Sequence, residues 1–68
     1  MPYKPREVVS KLGRAGFFVK RQNGSHMMLK HQDGRTVIVA MHTKDVPTGT
    51  LHSILEHADM SVEEFRKL

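Results

Sequence analysis

Two glycine turns, Asn23-Gly24 and Asp33-Gly34, restrict the fold of this 68-residue chain more than any other feature. Asn-Gly and Asp-Gly reverse an extended chain tightly, because glycine enters the positive-φ region without steric cost. The turns separate three short runs rich in apolar and β-branched residues: Phe17 to Gln22, Ser25 to His31 and Thr36 to Met41. Runs of this kind joined by short turns predict a three-stranded antiparallel meander.

On either side of the meander the apolar spacing becomes helical. Pro5 suits the first position of a helix, Val8, Leu12 and Ala15 then form a stripe, and Gly16 stops it, so a helix is expected over 5–15. Gly13 inside that helix costs roughly 1 kcal/mol relative to alanine unless a neighbouring backbone packs close against it. After the connecting stretch 42–47, Thr48 is expected to cap a second helix with Leu51, Ile54, Leu55 and Ala58 on one face. Ser61 opens a third, short helix: Glu64 completes a capping box, and Met60 and Phe65 are spaced for a hydrophobic staple. The class is α+β, in the order α-β-β-β-α with a short extra C-terminal helix. Amphipathic helices flanking such a sheet cover one of its faces and leave the other open.

Register decides which residues occupy the open face. Two-residue loops in both hairpins would mix apolar and charged residues on each side, placing Phe17, Val19 and Met28 with Arg21, His26 and Lys30. Odd-length loops, each ending in a left-handed glycine at Gly24 or Gly34, shift the parity. Phe17, Val19, Met27, Leu29, Val37 and Val39 then gather on one side. Phe18, Lys20, Gln22, His26, Met28, Lys30 and Ile38 take the other. The second arrangement separates polar from apolar better, and it sets His26 between Lys20 and Lys30.

Size and composition bound the function. A chain of 68 residues makes one domain, 1–68, close to the lower limit for folding without cross-links, and it has no cysteine to supply a disulfide or thiolate site. Its longest apolar run, Val37 to Met41, is far too short to span a bilayer, so a soluble cytoplasmic protein with no membrane partner is expected. The net charge of +4 is unevenly spread. Residues 1–35 carry eight Lys/Arg against Glu7 and Asp33, whereas residues 36–68 carry three against five carboxylates. The first half is suited to meet a polyanion.

The five histidines do not assemble a metal site by spacing. His26 and His31 fall on opposite faces of a strand, and His52 and His57 differ by about 140° around a helix. Ser25 likewise points away from His26, which makes an adjacent Ser-His nucleophile geometrically poor. What remains is a lone histidine among cations on an open face. RNA carries its own nucleophile, the 2′-hydroxyl, so strand cleavage needs a proton-transfer group active near neutral pH and positive charge for the developing phosphorane. Imidazole supplies the first, and Lys20, Arg21 and Lys30 supply the second. A non-catalytic RNA-binding module of the same fold is the competing expectation.

The ordered pieces Ala15-Gly16-Phe17, Gly24-Ser25-His26, Asp33-Gly34-Arg35, Gly49-Thr50-Leu51 and Ser53-Ile54-Leu55 resemble the HicA family of small toxin ribonucleases along nearly the whole chain. The resemblance implies a fold like a double-stranded-RNA-binding domain and an mRNA interferase, an endonuclease that cleaves messenger RNA and arrests translation. It carries the family's catalytic histidine onto His26, and Lys20, Arg21, Gly24, Ser25, Lys30 and His42 become candidates for RNA contact. It implies no metal or organic cofactor, and it implies a HicB-type antitoxin as partner. One departure stands out: many members read Val-Pro-x-His where this chain has Val39-Ala40-Met41-His42, so the proline that would end strand pairing is missing.

Overall fold

The computed structural model describes residues 2–42 and 44–68. Helix α1 (Pro5–Arg14) starts with Pro5 in its first turn, and the Lys4 backbone N–H donates to Glu7 Oε1 at 2.8 Å. Val8 and Leu12 are fully buried, and the chain leaves the helix through Gly16 at φ 101°. Three strands follow, β1 (Phe17–Asn23), β2 (His26–His31) and β3 (Thr36–Ala40), in the antiparallel order β1-β2-β3. Helix α2 (Thr48–His57) buries Leu51, Ile54 and Leu55, and the short α3 (Val62–Arg66) buries Phe65. The α-β-β-β-α order with an extra C-terminal helix is the expected one. Its core lies between the helices and a single face of the sheet, where Phe17, Leu29, Val37 and Val39 meet Val8, Leu12, Ile54 and Leu55.

The capping signals hold at α3 and not at α2. Ser61 Oγ accepts from the Glu64 N–H at 3.1 Å while the Ser61 N–H donates to Glu64 Oε1 at 2.8 Å, and Met60 packs half-buried against the core that holds Phe65. Thr48, in contrast, is the first helical residue; Pro47 takes the cap position. Proline's ring holds Pro47 at φ −60° in an extended conformation, and its carbonyl accepts the Leu51 N–H at 2.9 Å, so the turn forms with no side-chain cap.

The first hairpin corrects the expected loop. Asn23 pairs with His26, so the turn is the two-residue Gly24-Ser25, with Gly24 at φ 62°. The parity shift sits within β1 instead. Val19 pairs with Leu29 and Arg21 with Met28, leaving Lys20 as the extra residue of a bulge. The second hairpin has the expected odd loop: Gln32, Asp33 and Gly34 separate His31 from Arg35, the His31 carbonyl accepts the Gly34 N–H, and Gly34 lies at φ 103°.

Two of the sequence pieces have structural work in this frame. A Cβ on Gly16 would lie 2.8 Å from His31 Nε2, and the His31 ring stands edge-on to Phe17 with centroids 5.2 Å apart. Arg35 Nε reaches both carboxylate oxygens of Asp33, Nη1 donates to the Ala58 carbonyl, and the guanidinium lies over Phe17 at 5.1 Å. The turn between β2 and β3 is thereby pinned to the C-terminal end of α2. His31 Nδ1 accepts the Asp33 N–H at 3.2 Å, so its equally close approach to Asp33 Oδ1 is proximity and not a second hydrogen bond. Gly13, whose Cβ position meets nothing within 4 Å, has no packing reason in the structure.

Candidate nucleic-acid interface

Cross-strand partners share a face, so the register lays out the uncovered side of the sheet in three rows. Phe18, Lys30 and Thr36 form the first, and Arg21, Met28 and Ile38 the second. Asn23, His26 and Ala40 form the third, next to the turn. No row contains an acidic residue. Phe18 and Ile38 are 49% and 54% exposed on this face.

His26 is exposed at the first residue of β2, directly after the turn that Gly24 makes possible. It lines a shallow groove of about 330 Å³ with Arg21, Asn23, Met28 and Ile38. The backbone beneath it is held on both sides. Asn23 and Ala40 flank it in the ladder, and the Met41 N–H donates to the Ser25 carbonyl, so pairing runs past Ala40.

The bulge changes which cation stands near His26. Arg21 takes the place expected for Lys20, and Asn23 that expected for Gln22, which turns toward the helix side opposite Met27. Lys30 lies two rows from His26, with Met28 between them. His42 is exposed too, but it lines a separate concavity with Lys4, Pro5, Arg6 and Met41. Another cavity, of about 380 Å³, joins His42 to apolar side chains such as Val46, Pro47 and Ile54, and shares no residue with the His26 groove. His26 and His31 lie on opposite faces of β2, since His31 pairs with Phe17 on the core side.

The cations of the first half divide by use. Lys4 bridges to Asp45 at 2.9 Å, and Arg35 is engaged by Asp33. Lys11 sits over the rings of Tyr3 and Phe65 and donates to the Leu68 carbonyl at 2.8 Å, which fastens α3 to α1. Among the described residues Lys20, Arg21 and Lys30, like Arg6 and Arg14 on α1, have no ion-pair partner, and Arg21 and Lys30 flank the apolar centre of the open face. The carboxyl held below the usual range by Arg35, that of Asp33, belongs to the structural clamp and not to this surface. Met28 and Ile38 line the groove on the face expected for them, whereas Asn23 carries only a turn signal in the sequence and reaches the groove because of the bulge.

A family model described as the HicA toxin of bacterial toxin-antitoxin systems matches residues 5–60, most of the chain. A search among curated proteins found no match.

Proposed function

Because the chain belongs to the HicA toxin family, and so is the toxin of a toxin–antitoxin pair whose partner is an antitoxin, we propose that it is a cytoplasmic mRNA interferase, an endoribonuclease that works without a metal ion and is neutralised by a HicB-type antitoxin. The observation that carries this reading is the placement of His26. It is exposed on the open, acid-free sheet face, in one groove with Arg21 and at the end of a strand that also bears Lys30.

The chemistry follows from what RNA brings. The 2′-oxygen attacks the adjacent phosphorus, the O2′–P bond forms as the P–O5′ bond breaks, and the products are a 2′,3′-cyclic phosphate and a 5′-hydroxyl end. His26 is the proton-transfer group, and its exposure lets solvent water serve the other proton transfer. Arg21 contributes two parallel donors to the charge that grows on the phosphoryl oxygens, while Lys20 and Lys30 attract the strand from further away. Gly24 and Ser25 admit the backbone of the strand close to the turn, and His42 extends the contact beyond the sheet.

Purified protein incubated with RNA in excess EDTA tests the reading. Cleavage is expected for the wild type. It should be lost on His26→Ala and when a 2′-deoxynucleotide replaces the nucleotide whose oxygen attacks. Cleavage by His26→Ala at the wild-type rate would refute the assignment. RNA bound but never shortened would favour the non-catalytic binding module, and activity lost in EDTA and restored by a divalent ion would favour metal-assisted hydrolysis.

A further inference from the structure

The open face carries a second kind of chemistry that charge alone does not use. Phe18 and Ile38 leave about half of their area in solvent on the same side as His26, with Met28 half-buried between them. Arg21 and Lys30 border these side chains, free of ion pairs among the described residues. Aromatic and aliphatic surface alternating with cations complements the flat faces of nucleobases joined by phosphates.

An A-form duplex hides its base faces in the stack and presents sugars and phosphates, so it would leave this apolar surface unused. Attack by a 2′-oxygen also requires O2′, P and O5′ in line, a geometry that the stacked A-form backbone does not hold. From Lys30, opposite Phe18, to His26 the strand advances four residues, roughly 13 Å at the usual rise. An extended strand can therefore touch both.

We propose, on the basis of the ribonuclease reading above, that the open face selects single-stranded RNA, with one unpaired base stacked on Phe18 and the backbone running past Met28 and Arg21 to His26. Phe18 is then a positioning residue: it fixes the strand and does not touch the reacting atoms.

The test uses His26→Ala protein, so that binding is read without cleavage, and a labelled RNA oligonucleotide presented alone or annealed to its complement. The single strand is expected to bind at least tenfold more tightly than the duplex. Adding Phe18→Ala should weaken single-strand binding fivefold or more with the salt dependence unchanged, and Phe18→Trp should restore it. Equal or tighter duplex binding overturns the proposal, as does a Phe18→Ala effect below twofold. Phe18→Ala that keeps its RNA affinity and loses the antitoxin would make the surface a protein-docking face, which also overturns it. If the wild type cleaves RNA while these results fail, only the single-strand proposal falls; if the wild type neither binds nor cleaves RNA, the ribonuclease reading falls with it.

Discussion

The bulge at Lys20 makes a prediction that separates two neighbouring cations. Arg21 faces Met28 and lines the His26 groove, whereas Lys20 is the unpaired residue of β1. A guanidinium hydrogen-bonded to a phosphoryl oxygen contributes about 1.5–3 kcal/mol. At about 1.36 kcal/mol per factor of ten, Arg21→Ala should lower kcat/KM for RNA roughly 10- to 100-fold. It should also lower the slope of log affinity against log salt by about 0.7 for a single strand. Lys20→Ala removes only a more distant charge, and its cost should stay within about threefold. Both side chains are exposed, so folding stability should change by no more than about 0.5 kcal/mol in either variant. Deleting Lys20 is the stricter form of the experiment. Removal joins Val19, which faces Leu29, directly to Arg21, which faces Met28, and so converts the bulge to a regular ladder with every other side chain on its present face. The deletion variant should therefore stay folded and keep most of its activity, read as initial cleavage rates alongside circular dichroism. A folded deletion variant without activity, or Lys20→Ala as damaging as Arg21→Ala, would refute the placement.

Gly16→Ala combines a φ of 101° with a Cβ 2.8 Å from the His31 ring, so it should cost roughly 2–3 kcal/mol and lower Tm by about 10–20 °C in a thermal melt. Gly24→Ala has the positive φ without the clash and should lose about half as much, and in a Gly16→Ala/His31→Ala double variant the two losses should add to less than their sum. Gly13→Ala, in an exposed helical position with open space around it, should raise stability by about 0.5–1 kcal/mol, visible as a higher urea midpoint. Acid should weaken the fold through Asp33 and Glu64. The hydrogen bonds from Arg35 lower the pKa of Asp33, and those from Ser61 lower that of Glu64, so their contribution is present above the unfolded values of 3.8 and 4.5 and is lost as pH falls through the lower folded ones. Asp33→Asn and Glu64→Gln should each flatten the decline in Tm below pH 4.

The amino-acid sequence by itself determined the elements and their order, because each rests on local chemistry. Proline at Pro5, positive-φ glycines at Gly16, Gly24 and Gly34, and the Ser61/Glu64 box act through neighbouring residues, and all lie where their spacing indicated. The apolar sides of the helices were legible for the same reason, as was the exposure of His26 just after a turn. Only the tertiary structure decided which cation accompanies that histidine. A bulge is the outcome of competition between a two-residue turn at one end of β1 and burial of Phe17 at the other, and one extra residue absorbs the difference in parity. The choice of Lys20 as that residue reverses Arg21, Gln22 and Asn23 together. Tertiary packing also left Phe18 and Ile38 in solvent on the His26 face, since the helices that bury Phe17, Val37 and Val39 cover only the other face of the sheet; even there Val19, near the bulge, stays 49% exposed.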